Sequence, residues 1–204
     1  ADQGTGLGKP LKLINHPVRD RIPIVIASLG PKNVALTAEI AEGWEPIFFH
    51  PEKADAVWGD ALATGKAKRD PSLGDLQIYA SPALAIGDDV EPMLEWIKPN
   101  LALYIGGMGA KGKNFYNDLA CRYGYEEEAE KIQDLYLAGK KAEATAAVPD
   151  DLVRAISLIG TESFVKERVA AFAAAGATTL NVMPLAADRA GRVALIEQLR
   201  AIVD

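Results

Sequence analysis

Apolar positions in the first quarter of the chain alternate between short β-branched runs and helical spacing. Ile22, Ile24, Val25 and Ile26 form a run too short for a helix and apolar on both faces, which is the pattern of a buried parallel strand. Leu29-Gly30-Pro31 breaks it, with Gly supplying backbone freedom and Pro preset for a first helical position. Val34, Ala38 and Ala41 then recur on one helical face, Leu36 and Ile40 widen that face, and Gly43 stands where a C-terminal cap belongs. A second strand over residues 46–49 completes a βαβ unit. Its first loop sets backbone N–H groups and a helix N-terminus at the C-terminal end of a strand, where anionic groups of ligands bind.

The same two periods continue. Residues 51–69 read as a helix that starts at Pro51, buries Ala54, Val57 and Ala61, and stops at Asp70-Pro71. Residues 76–86 read as a third strand, bent or shortened at Pro82. The region 89–156 is too long for one crossover helix and is broken by Pro99, several glycines and Pro149, so it reads as a helical excursion with glycine-rich joints. Within it Ile132, Leu135 and Tyr136 form a narrow apolar stripe, and Glu126, Glu127, Glu128 and Glu130 form a solvated face. Thr161 is a good N-cap for a helix burying Val165, Val169 and Phe172 and ending at Gly176. A fourth strand over 178–183, stopped by Pro184, precedes a closing helix with Leu195, Leu199 and Ile202 on one face. The organisation is a leader (1–21), βα units (22–88), the excursion (89–160) and a last βα unit (161–204).

Composition narrows the function classes. The chain has 204 residues, 49% hydrophobic and 25% charged, which suits one soluble globular unit. Its net charge of −6, without a basic cluster, argues against a nucleic-acid partner. One cysteine, Cys121, excludes an intramolecular disulfide framework and fits a reducing cytoplasm, and no apolar run reaches membrane-spanning length. Gly4-Thr5-Gly6-Leu7-Gly8-Lys9-Pro10 is not a P-loop, because position 3 is Gln and Lys9 is followed by Pro. His16 reads as a surface residue, since nothing near it stands at metal-ligand spacing, and no metal site is expected. No Ser-His-Asp or Cys-His pattern offers nucleophilic catalysis, which turns the reading toward a reaction carried by a cofactor.

A strand ending ASLGPKN, a helix, and then AEGW resembles the fifth βα unit of the luciferase-like flavin and deazaflavin oxidoreductases. The segments LALYIGGMGAKGKNFYNDLACRYGYEEEAEKIQDLYLAGKKAEA and LIGTESFVKERVAAFAAAGATTLNVMP resemble later parts of the branch dependent on coenzyme F420. The resemblance covers nearly the whole chain, yet the family's first four βα units have no counterpart. It implies an α/β fold, the C-terminal half of a luciferase-like (β/α)8 TIM barrel with a helical insertion; the strand–helix order of the residues places parallel strands near 22–28, 45–49, 75–86 and 178–183.

That resemblance implies a hydride-transferring or monooxygenating enzyme that uses coenzyme F420, or alternatively FMN, on a small organic substrate. It places the cofactor's phosphate-bearing tail against Ala27, Ser28, Leu29 and Gly30, with Asn33 as a further helix-start contact. Phe48, Phe49 and His50, after the second strand, are expected at the barrel mouth facing substrate, although one or both phenylalanines could equally be core. Trp44 is expected to pack below the mouth, and Gly106-Gly107-Met108-Gly109 could be either a lid or a static joint. The family's catalytic acid or base lies in the half not represented, so no catalytic residue is named. Two other readings stay open: a relative that holds a flavin without turnover, and a fragment without ligand. Half a barrel has two open strand edges, so a continuation N-terminal of Ala1, a homo-oligomer, or the helical excursion folded over the exposed side is expected to cover them.

Overall fold

The computed structural model describes Gly8, residues 14–19 and residues 21–203, so most of the glycine-rich leader motif lies outside the described residues. Strand β1 (Val25–Ile26) leads into helix α1 (Pro31–Ile40), and β2 (Gly43–Trp44) leads into α2 (Pro51–Lys66). Next come β3 (Gln77–Ala80) and β4 (Ala83–Ile86), then the excursion: α3 (Leu94–Ala102), α4 (Phe115–Arg122), α5 (Glu126–Leu137), α6 (Lys141–Ala146) and α7 (Asp150–Ala155). The chain closes with β5 (Leu158–Gly160), α8 (Glu162–Ala174), β6 (Thr179–Leu180), β7 (Met183–Pro184) and α9 (Arg189–Val203). No described helix is long and apolar enough to cross a membrane.

Among the described residues all strand pairs are parallel, in the orders β1-β2-β3-β6 and β5-β4-β7. The two sheets are one array that divides at Ser81-Pro82 and again at Asn181-Val182. Proline cannot donate to a ladder, and beyond it β4 exchanges β2 for β5 as its neighbour, with Ala85 opposite Ile159. Thus 76–86 is two strands rather than one. The span 178–183 likewise divides, and Pro184, expected as a stop, pairs with Leu84. Strand β5 falls inside the stretch assigned to the helical excursion.

Two expectations are corrected at the opening unit. The second strand is Gly43–Trp44, not 45–49, and residues 47 and 48 form a turn in which Phe48 takes φ 51°. Pro46 has no N–H to donate, and Phe48 gives its carbonyl to Tyr123 Oη at 2.8 Å instead of to a ladder. The first strand shortens to two residues, and Ile22, Ile24 and Val25 are exposed rather than buried. On α1, Val34, Ala38 and Ala41 are fully buried as the period requires, but Leu36 and Ile40 are half exposed and face away from the core.

The core lies between the sheet and its outer helices. Trp44 and Trp58 meet edge to face with centroids 5.1 Å apart, and Phe49 stacks on Trp58 at 6.0 Å. Phe172 of α8 adjoins Phe49, and Ile78 and Ala80 of β3 are buried in the same core. α2 and α1 approach closely at Gly65, where a Cβ would collide with Ala35 O. In the excursion a π turn (Leu103–Gly107) continues α3, and the Tyr136 side chain fills the space over Gly106 and Gly107. That packing makes the glycine run a joint between helices.

Candidate functional site

Parallel strands carry their loops at one end, and here the C-terminal ends of β1, β2, β3 and β6 form a common mouth. Strand alternation assigns the faces. Trp44, Ile78 and Ala80 are buried on the helix side, whereas a Cβ on Gly43 would lie 2.6 Å from the Tyr79 ring and 3.0 Å from Val25 on the opposite side. Ala27, Glu45 and Ser81, each two residues further along, continue that inner face into the mouth.

The loop after β1 is held by its carbonyls. Ser28 O accepts from Trp44 Nε1 at 2.9 Å, Leu29 O from Trp58 Nε1 at 3.1 Å, and Gly30 O from the Val34 amide at 2.9 Å. Ser28 Oγ lies 2.9 Å from Thr37 Oγ1, which in turn donates to Asn33 O. The amides of Ser28, Leu29 and Gly30 have no protein acceptor among the described residues. Gly30 is the N-cap of α1 with φ −72° and ψ 146°, a conformation open to any residue, and no side chain caps the helix. A Cβ there would meet nothing within 4 Å. The glycine therefore serves neither unusual backbone geometry nor packing; it leaves a bare N–H surface and open room at a helix start. Asn33 is exposed in the first turn, and Ala27 is exposed on the inner face.

Across the mouth, a pocket of about 300 Å³ is lined by both Phe48 and Phe49, by Ser81, by Trp96 and Asn100 of α3, and by Ser157. Phe48 also meets Tyr104 edge to face at 5.3 Å. The two phenylalanines share the pocket because neither is in a strand, so alternation does not separate them. Ser157 is buried, and its Oγ has no hydrogen-bond partner among the described residues. His50 is turned elsewhere: it packs on the Tyr123 ring at 5.2 Å and lies with Glu52 and Arg168 beside a different cleft. Its Nδ1 is 3.1 Å from Glu52 Oε2, an ion-pair distance without hydrogen-bond alignment. Burial holds the imidazole below its ordinary pKa despite the neighbouring Glu52. Partial burial pushes Glu52 up, but the hydrogen bonds from Arg168 and from its own backbone amide, together with the Arg168 and His50 charges, hold it below the usual carboxylate range.

Sequence reasoning did not find Glu45, Ser81, Trp96, Asn100, Ser157 or Asn181 at this mouth. Pro82 marked the break in the strand, which is the one local signal near Ser81. Among the described residues there is no group of three or more His, Cys, Asp or Glu side chains able to hold a metal.

The chain belongs to the luciferase-like monooxygenase family, which it matches over residues 6–179. It is 40% identical over 201 residues to a Mycobacterium tuberculosis protein provisionally named a coenzyme F420-dependent oxidoreductase, covering 98% of this chain and 56% of that protein. The chain thus spans little more than half the length of that relative. Among solved structures it resembles the coenzyme F420-dependent tetrahydromethanopterin reductase of Methanopyrus kandleri, with TM-score 0.66 and 22% identity over 87% of this chain and 49% of the other. It also resembles an F420-dependent secondary alcohol dehydrogenase solved with an F420-acetone adduct, with TM-score 0.59 and 13% identity over 91% of this chain and 50% of the other. These two likenesses carry the fold: part of a luciferase-like TIM barrel.

Proposed function

We propose that the complete protein is an oxidoreductase that binds coenzyme F420 at this mouth and acts on a small organic substrate. The observation that carries the reading is the loop of residues 28–30: three carbonyls fixed by protein donors, three amides without acceptors among the described residues, and open space over Gly30. Unpaired amides beside a helix N-terminus can hydrogen-bond a phosphate without any basic side chain. The name of the Mycobacterium tuberculosis relative supports F420 over FMN as the group held there.

When bound, the deazaflavin supplies hydride acceptance and donation. This chain's residues hold and enclose. Ser28, Leu29 and Gly30 would offer amides to the tail, with Asn33 beside them, and Trp44 and Trp58 keep the Leu29 and Gly30 amides aimed outward by holding the carbonyls of the same peptide units, Ser28 O and Leu29 O. Phe48, Phe49 and Trp96 give the adjoining pocket an apolar lining from which water is readily displaced. His50, the residue preceding α2, faces the separate cleft with Glu52 and Arg168 and is not part of this lining. Ile24 beside β1 and Leu36 and Ile40 of α1 are exposed apolar residues, which supports self-association as part of the same reading; sedimentation of the full-length protein as a monomer would remove that part.

Titration of the full-length protein with F420 and with FMN tests the proposal, using the parent, Gly30→Val and Lys32→Ala. Gly30→Val is expected to weaken F420 binding and Lys32→Ala to leave it nearly unchanged. The reverse pattern would replace the backbone cradle with a side-chain contact, and failure of the parent to bind either cofactor would remove the oxidoreductase reading.

A further inference from the structure

Glu45 is the next inner-face residue of β2 after Gly43, at the C-terminal end of the strand. Its Oε1 accepts from Ser81 Oγ at 2.9 Å and from Asn181 Nδ2 at 3.2 Å, so residues from the ends of three neighbouring strands meet on one oxygen. Among the described residues its Oε2 has no hydrogen-bond partner and the carboxylate has no ion pair. Glu42, three residues earlier, is a useful contrast. It is paired with Arg21 and accepts from the Ile24 amide, so both of its oxygens are occupied by the protein.

A solvated surface glutamate has no reason to be clamped, because fixing a long side chain costs conformational entropy. Here two neutral donors hold one oxygen and leave the other directed by the clamp rather than free to wander. Ser81 is shared: it donates to Glu45 and lines the pocket that contains Phe48, Phe49 and Trp96. An apolar pocket therefore has a preorganised anionic acceptor one side chain beyond its wall. We propose that Glu45 is a substrate-contact residue, positioned by Ser81 and Asn181, and that it selects compounds with an apolar body and a hydrogen-bond-donating head, a hydroxyl or an ammonium. This rests on reading the mouth as a small-molecule site, but not on the identity of the cofactor.

The assignment can be tested by calorimetric titration of the full-length protein with three probes of similar apolar body: octanol, octylamine and octyl methyl ether. A hydrogen bond to a carboxylate predicts that at least one donor probe binds roughly 10- to 100-fold more tightly than the ether. Glu45→Leu should abolish that preference, and the double variant Ser81→Ala/Asn181→Leu, which keeps the carboxylate but releases it, should reduce it several-fold, roughly. A preference for octylamine that Glu45→Gln removes identifies an ammonium head; a preference for octanol that Glu45→Gln partly keeps identifies a hydroxyl. Glu45→Gln is isosteric and serves if Glu45→Leu does not fold. The proposal is overturned if the ether binds as well as both donors, if none of the three binds, or if Glu45→Leu retains the preference. F420 titration of the same samples decides the cofactor reading separately, since that reading can fail while the head-group preference stands.

Discussion

The two faces of the sheet are built for different work. On the helix side Trp44, Trp58, Phe49 and Phe172 form one aromatic cluster, and Trp44 and Trp58 are fully buried with both indole N–H groups bonded. On the inner side the same strands present Val25, Gly43, Tyr79, Glu45 and Ser81, with small or polar groups replacing large apolar ones toward the mouth. The two are joined by the indoles: the side chains that fill the core also hold the carbonyls of the loop proposed to meet the cofactor. Stability should therefore reside on one face and ligand selection on the other, with Trp44 and Trp58 belonging to both.

The largest expected effect tests that division directly. In the full-length protein Trp58→Ala should lower unfolding free energy by about 3–5 kcal/mol, from the cavity and lost burial, whereas Glu45→Leu should stay within about 0.5 kcal/mol of the parent. Urea denaturation of both variants measures this. Equal losses would show that the inner face also carries the fold.

Two glycines sharpen the comparison at the next scale. Gly65→Ala drives a methyl into Ala35 O and Ala38, between α1 and α2, and should cost about 1–3 kcal/mol by overpacking. Gly30→Ala enters open space at an ordinary φ and should change stability by no more than about 0.5 kcal/mol. Thermal melts that find Gly30→Ala the worse of the pair would mean that the loop is packed rather than open.

These contrasts bear on what was legible beforehand. Helices α1, α2 and α8 could be read because their starts are local: Pro31, Pro51 and the Thr161 cap all lie at the observed N-termini. The mouth was legible only in its first loop, where the strand, the Gly-Pro turn and the helix are contiguous. Strand β2 was placed too late because the apolar run at 47–49 outweighs Gly43-Trp44 in any local reading; the tertiary bond from Tyr123 to Phe48 O decides otherwise. Strand β5 is three residues long and is defined by pairing with β4, which no local period announces. Glu45 is further from reach, since its two partners stand 36 and 136 residues away.

A smaller effect separates His50 from the pocket chemistry. Its folded pKa lies below the ordinary 6.5, so the unfolded chain binds a proton more readily, and this contribution to stability is complete above 6.5 and declines as pH falls below it. Glu52 adds its own loss only at lower pH, below its ordinary 4.5. Urea midpoints at about pH 7.5 and about pH 5.5 should therefore fall in the parent and fall less in His50→Gln. Identical pH dependence in the two would mean that the imidazole is as solvated as in the unfolded chain. Substrate binding near neutral pH should be unchanged by the same variant if the phenylalanines alone carry that wall of the pocket.

The smallest expected change in stability gives the sharpest view of the loop. Gly30→Ser introduces a hydroxyl at the N-cap of α1, where it can accept from the amide of Lys32 or Asn33 and occupy the open space that glycine leaves. Stability should rise by only a few tenths of a kcal/mol, roughly the difference between Ser and Gly caps. Cofactor affinity should move the other way, falling about tenfold, because the hydroxyl competes for a helix-start amide and narrows the approach to the unpaired amides of 28–30. A melt and an F420 titration on the same preparation read both quantities. A more stable protein with weaker F420 binding locates the tail at the bare N-terminus of α1. Unchanged affinity in a more stable protein would mean that those amides face water, and that whatever the mouth holds is bound from the side of Ser81 and Glu45 alone.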